Sequence, residues 1–476
     1  MRVNGAMKDQ TPDVGASRVT RRIQLRRRLR LRRYRYVGLS RRVWMRRAVF
    51  VAGALLVGLT AVGFAKIADQ AQFAYYLILR NVPWLPLLMT PAGFALLAYI
   101  TARWFPAAAG SGIPQVIAAR KSSDHAHRRA LLGWQTTIAK IVMTALALVI
   151  GASVGREGPT VQVGASVMFA VAMFAGIGRQ NGLVLAGSAA GIAAAFNAPI
   201  AGILFAIEEL AKAFAGRIND IVIGSVVISG AVSWVILGNY DYFGEVTTRI
   251  AAGQEWAAVP ICATIGGMLG GFFSLALIAL SRKSFGFMAV LKRSPIAFAG
   301  LCGVIVAVLS IATAGYASGN GYVETRGALV VGQAIPWWYG LAKLVTTLLS
   351  SASGIPGGLF SPSLAVGAGI GSMITPVFPY ADPRTVMLLM TVGYFAGVVQ
   401  SPLTAVVIVM EMTSDKNMVI PLMATSLFAA SISRLINREP LYHALSHKYD
   451  ASVFRRPGTA DDPADPASVR HPVVGR

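Results

Sequence analysis

Gly155-Arg156-Glu157-Gly158-Pro159 breaks an apolar stretch with a carboxylate set between glycines. An ionised Glu in apolar surroundings is costly, so one kept at such a break is a candidate gate. The break recurs at a spacing of 203 positions: Gly151, Gly155, Pro159 and Gly164 correspond to Gly354, Gly358, Pro362 and Gly367, with Phe360 standing where Glu157 stood. Matching interruptions in two halves of a membrane protein point to an ion site between them.

The rest of the 476-residue chain fits that setting. It is 55% hydrophobic and 13% charged, with a mean hydropathy of +0.59. A soluble domain would carry roughly a quarter charged residues, so the chain reads as an all-α polytopic membrane protein. The formal charge of +24 is concentrated in an arginine cluster from Arg21 to Arg47, ahead of the first apolar span. That arm, residues 1–47, predicts a cytoplasmic N-terminus and contact with anionic lipid headgroups. No nucleic-acid module accompanies it. No short apolar core follows Met1, as a secretory signal would require, although an organelle transit peptide shares the arginine-rich composition.

Apolar runs lie at 48–66, 84–104, 131–153, 160–178, 182–196, 198–215, 219–238, 257–281, 296–314, 337–352, 363–378, 384–399, 401–412 and 418–436. Several fall short of the roughly 20 residues of a perpendicular span, so tilted and broken helices are expected. Polar stretches at 121–130, 239–255, 282–294 and 315–334 read as loops, and 449–476 as a disordered tail. The transmembrane domain then covers 48–448, in halves of about 48–240 and 255–448.

The spacing of 203 also pairs Trp134 with Trp337, Lys140 with Lys343, Thr144 with Thr347, Pro199 with Pro402 and Glu208 with Glu411. Small residues recur in any packed membrane helix, but Trp, Lys, Pro and Glu held in one register mark an internal repeat. If its two Gly-Pro helix starts face each other at mid-depth, the halves have inverted topology. Each start offers free N–H groups and a positive dipole end, so the expected occupant is an anion. Gly110-Ser111-Gly112-Ile113 echoes Gly319-Asn320-Gly321-Tyr322 more loosely, and an ordinary Gly turn explains that echo as well. Lys140 and Lys343 read as structural lysines whose ammonium groups snorkel. Cys262 and Cys302 read as small buried hydrophobes. The histidines fall in polar stretches, so no imidazole is expected at membrane depth, and neither a metal site nor a cofactor is expected.

Gly110-Ser111-Gly112-Ile113-Pro114, Gly155-Arg156-Glu157-Gly158-Pro159 and Gly358-Leu359-Phe360-Ser361-Pro362, with Pro440-Leu441-Tyr442 near the end, resemble the anion-filter signatures of the CLC chloride channels and chloride/proton antiporters. The resemblance spans roughly residues 48–448 and implies an inverted repeat of tilted, broken helices. It implies that Ser111 and Tyr442 give hydroxyls to a central chloride and that backbone amides of Leu359 and Phe360 complete the site. Glu157 would be the external gate and proton acceptor, and amides of Gly155, Arg156, Glu157 and Gly158 would cradle an outer chloride. Glu208 has a repeat partner in Glu411, whereas Glu209 faces Met412. The resemblance gives that unshared acid the task of internal proton transfer, and Glu208 and Glu411 read as capping or interfacial acids.

The expected activity is chloride/proton antiport, the alternative a passive voltage- or pH-gated chloride channel. A fluoride exporter of the same family would depart at Tyr442 and in the gate motif. An intramembrane protease would need a His or a metal motif. Ser111 implies chloride over nitrate, since nitrate-preferring relatives tend to carry Pro there. The expected partners are chloride, protons, membrane lipids and a second copy in a homodimer, for whose interface runs 218–238 and 401–436 are candidates. The expected location is a bacterial inner membrane with both termini cytoplasmic.

Overall fold

The computed structural model describes residues 41–176, 181–211, 220–238, 242–250, 253–281, 294–452 and 454. The chain forms two compact units, Met1–Phe50 and Val51–Arg476. In the first, residues 41–50 are helical and the Arg47 guanidinium lies 5.5 Å from the Trp44 ring centroid. The cluster from Arg21 to Arg35 lies outside the described residues, as do 455–476 of the expected tail.

Helix α1 (Arg41–Asn81) is followed by α2 (Pro86–Arg103), α3 (Ile113–Lys121), α4 (His125–Leu132), α5 (Trp134–Val149), α6 (Glu157–Phe174), α7 (Asn181–Phe196), α8 (Pro199–Phe205) and α9 (Asp220–Leu237). The second half supplies α10 (Ala258–Ser281), α11 (Pro295–Ala312), α12 (Tyr322–Arg326), α13 (Tyr339–Ala352), α14 (Phe360–Ile374), α15 (Pro383–Val399), α16 (Pro402–Thr413), α17 (Val419–Ile436) and α18 (Leu441–Ser446). Among the described residues there is no β-strand, only an antiparallel bridge between Gly155 and Gly358. Among the described residues six helices are long and apolar enough to cross a membrane by length and composition, while Gly182–Phe196, Ile221–Leu237, Pro383–Val399 and Pro402–Thr413 are shorter apolar pieces. The protein is a multi-pass integral membrane protein with broken helices. Its outward surface is correspondingly apolar, with Phe174 97% and Leu435 85% exposed, which lipid can cover.

The correspondence of the halves is visible residue by residue. Gly164 of α6 lies against the carbonyl of Gly187 in α7, and its repeat mate Gly367 of α14 lies against α15, where a Cβ would stand 3.0 Å from the Met390 carbonyl. Helices in lipid gain little from apolar burial alone, so such backbone contact is what small residues provide. Glu411 accepts hydrogen bonds from the Ile200 and Ala201 amides at 3.1 and 2.6 Å, and Glu208 accepts from the Leu403 and Thr404 amides at 3.2 and 2.7 Å. Each acid thus caps the start of the other half's helix, α8 or α16, which is the capping role the sequence suggested.

Four expectations need correction. Lys140 and Lys343 do not snorkel: both are fully buried, and each ammonium donates to three backbone carbonyls, those of Ala108, Ala109 and Gly110 or of Ala317, Ser318 and Gly319. These matched clamps also make the loose Gly110–Gly319 echo a true repeat. The stretches 121–130 and 315–334 are not plain loops but hold α4, α12 and a π turn at Gly327–Val331. Polarity hid α4, yet Asp124 caps it by accepting from the Ala126 and His127 amides at 2.8 and 3.2 Å. The first apolar run ends at 66 but its helix continues to Asn81, where the exposed Asp69 pairs with Arg156 and the buried Gln72 accepts from the Asn320 amide at 3.2 Å. Finally, the tail does not start at 449, since Tyr449 is buried and donates to the Ala109 carbonyl at 3.4 Å. Cys262 and Cys302 are buried and free, as expected.

Candidate anion filter

Gly151 and Gly354 take left-handed backbone angles, φ +82° and +80°, and turn the chain at the same place in each half. A side chain is strained there, which explains the repeated glycine. Four residues on, Gly155 and Gly358 exchange backbone hydrogen bonds of 2.8 and 2.7 Å, so the two breaks meet head to head. Helices α6 and α14 then start at Glu157 and Phe360, and the residues before them, Arg156 and Leu359, make no side-chain cap. The first amides of both helices therefore face one region with their dipole ends together. Gly358 must be small here, because a Cβ would sit 3.0 Å from the Gly155 carbonyl, the Gly158 amide and Pro159 Cδ alike.

Short α3 brings a third chain start to the same place. Gly112, at φ +102°, packs so that a Cβ would lie 3.1 Å from the Gly158 carbonyl, and this seats Ser111 beside Gly158. From the other end of the chain, α18 delivers the fully buried Tyr442, whose ring lies 5.9 Å from Phe360. Ser111, Glu157 and Glu209 are its polar neighbours. Ser111 Oγ, Tyr442 Oη and Glu157 Oε2 are buried with no hydrogen-bond partner among the described residues. Unpaired buried polar atoms are costly, so their convergence marks a place for a ligand. A cavity of about 610 Å³ reaches Ser111 and Leu359, walled also by Gly110, Gly357, Lys448 and Tyr449.

Glu157 turns its other oxygen to two hydroxyls: Ser361 Oγ donates at 2.6 Å and Tyr242 Oη at 3.3 Å, both to Oε1. Composition and spacing gave no sign of Tyr242. It is carried by the segment 242–250, which is strapped to the end of α16 where the Phe243 and Val246 amides donate to the Met412 and Thr413 carbonyls at 2.8 and 3.0 Å. Arg156 does not turn its side chain on the same space. Its Nη1 lies 2.6 Å from both the Ala65 carbonyl and Asp69 Oδ1, so the guanidinium is committed to α1.

Glu209 stands in a π turn at Ala206–Ala211 that continues α8. The wider turn lets Glu208 reach the other half while Glu209 points inward, 1% exposed, with Oε2 accepting from Ser401 Oγ at 2.6 Å. π turns inside α-helices often mark functional positions. His443 Nε2 donates to the Glu209 carbonyl at 3.2 Å. Phe360 sits at the centre of an aromatic cluster, with Phe196, Phe205 and Phe395 rings at 6.2, 5.7 and 5.1 Å.

The sequence model of the family described as voltage gated chloride channel matches residues 93–434. The H(+)/Cl(-) exchange transporter ClcA of Yersinia pestis bv. Antiqua (strain Angola) is 30% identical over 450 residues, covering 89% of this chain and 91% of that protein. The same figures hold for ClcA of Yersinia pseudotuberculosis serotype O:3 (strain YPIII). Among solved structures, a slow cyanobacterial Cl-/H+ antiporter superposes with a TM-score of 0.73 at 23% identity, covering 84% of this chain and 97% of that one. A CLC-type fluoride/proton antiporter does so with a TM-score of 0.67 at 20% identity, covering 82% and 95%. With opposed helix starts, a buried carboxylate between them and a family match across most of its length, the chain belongs to the voltage gated chloride channel, or CLC, family.

Proposed function

We propose that the protein is a chloride/proton antiporter, a secondary active transporter and not an enzyme. The observation that carries this reading is the convergence of Ser111 Oγ, Tyr442 Oη and Glu157 Oε2, all buried and unpartnered among the described residues, on the meeting point of two uncapped helix starts. Chloride loses its hydration on entering a low-dielectric interior and needs several hydrogen bonds in return, without a fixed cation that would trap it. Hydroxyls of Ser111 and Tyr442 with amides of Leu359 and Phe360 meet both needs, and amides from Gly155 to Gly158 serve a second anion. The Arg156 guanidinium is matched by Asp69 and leaves this balance intact. Glu157 and an anion repel each other at the gate, so protonation of Glu157 and chloride occupancy are linked. Glu209, buried on the Tyr442 side, passes protons to and from the other face.

The curated relatives are named as exchange transporters, which favours coupled exchange over a passive channel. The wider assignments rest on the sequence: a homodimer, lipid contact by the arginine-rich arm, and a bacterial inner membrane with both termini cytoplasmic. Reconstitution into liposomes with a chloride gradient and an external pH electrode tests the central reading. Chloride flow should drive protons uphill. Glu157→Gln and Glu209→Gln should each abolish proton movement while chloride still flows. Chloride flux without proton movement in the unmodified protein would instead make it a channel, and normal coupling in Glu209→Gln would remove that residue from the proton path.

A further inference from the structure

The filter's inner pair, Ser111 and Tyr442, has a counterpart beside Glu157. Ser361 Oγ and Tyr242 Oη lie 3.0 Å apart and both point at Glu157 Oε1, at 2.6 and 3.3 Å. Both side chains are buried, at 2% and 1% exposure. Nothing in the repeat requires them. The mate of Ser361 is Gly158, which has no hydroxyl, and Tyr242 lies on the strap of 242–250 between the halves.

The strap is built to hold the phenol still. Beyond its two backbone bonds to the end of α16, the Thr248 amide and Oγ1 donate to Asp415 Oδ2 at 2.9 and 2.6 Å. The Tyr242 ring meets Phe196, Phe243 and Tyr322 edge-on or tilted at 5.7, 5.1 and 4.7 Å. Ser361 is fixed as the second residue of α14, next to the meeting helix starts. A preorganised pair of hydroxyls aimed at one anionic oxygen is an anion seat, and the oxygen in it is the carboxylate's own. Around Glu157 the other charged or titratable neighbours are Arg156, matched by Asp69, and Tyr442.

We infer that Tyr242 and Ser361 form a second serine–tyrosine anion seat, which holds Glu157 Oε1 while the gate is shut and takes a chloride ion when the carboxylate has swung away. The inference rests on the antiporter reading of the same filter and adds to it two side chains that bind the outer ion. When Glu157 leaves, two buried hydroxyls lose their charged acceptor, and a halide restores it. Because neither group is charged, the ion is held without being trapped. Gate and substrate then compete for the same two donors as well as for the backbone amides.

Chloride titration calorimetry on purified protein tests this. Glu157→Ala opens the seat, and Glu157→Gln, a near isostere, gives a second background should the first variant not fold. In either background chloride should bind, and adding Ser361→Ala or Tyr242→Phe should weaken that binding about tenfold or more, as loss of a hydrogen bond to a charge requires. Both changes keep the local packing, and an unaltered elution volume and melting temperature confirm it. Affinity within about twofold of the parent background, for both hydroxyl variants, would overturn the inference and leave the antiporter reading standing. Absence of chloride binding in every variant, the gate variants included, would overturn both.

Discussion

At the scale of single residues, the filter depends on charges that are buried but fully matched. Lys140 and Lys343 tie down the turns ahead of α3 and α12, each by three carbonyls. Replacing either by Met removes a charged donor from each of those carbonyls, and each variant should lose about 2–5 kcal/mol of stability, read as a lower melting temperature in detergent. The pair should separate in function. Lys140 holds Gly110, the neighbour of Ser111, so Lys140→Met should also weaken chloride binding, while Lys343→Met should leave binding unchanged in calorimetry. Equal loss of binding in both would show that the clamps act on the fold alone. The sequence shows two lysines in one register but not where their ammonium groups go, because the acceptors lie about thirty positions upstream in Gly-rich turns. Tyr242 is hidden for the same reason. Its approach to Glu157, 85 positions away, depends on how the strap folds and leaves no local pattern.

Among elements, the broken helices and their caps carry the architecture. The register of 203 is legible down to single contacts: Gly151 with Gly354 at the turns, Gly155 with Gly358 across the bridge, Gly164 with Gly367 at the close crossings. What stays illegible is helix in polar sequence, as in α4 and α12, where caps and tertiary contacts replace an apolar stripe. The two capping acids give a prediction at this scale. Glu208→Ala and Glu411→Ala each remove a carboxylate from two amides at the start of the partner helix. Each should cost about 1–2 kcal/mol in thermal unfolding, with proton coupling kept in the liposome assay. Glu209 is next to Glu208 in sequence, yet the π turn sends it elsewhere. Loss of coupling in Glu208→Ala comparable to that in Glu209→Gln would mean that the turn does not separate their roles.

For the molecule as a whole, inversion turns one sequence pattern into a two-sided device. Two halves, each with a helix that stops part-way, bring their positive ends together, and one half alone carries the carboxylate and the inner acid. This asymmetry is what Phe360 opposite Glu157, and Met412 opposite Glu209, announce in the sequence. The family resemblance supplied the roles of Ser111 and Tyr442, which the repeat by itself does not give. An anion is expected to sit where Gly155–Gly158 and Leu359–Phe360 meet. Anomalous diffraction from crystals of Glu157→Gln grown in bromide would locate it. Bromide peaks should appear within hydrogen-bonding reach of Ser111 Oγ, Tyr442 Oη and the Leu359 and Phe360 amides, and beside the amides of Gly155–Gly158. Bromide bound elsewhere, with none between the two helix starts, would contradict it.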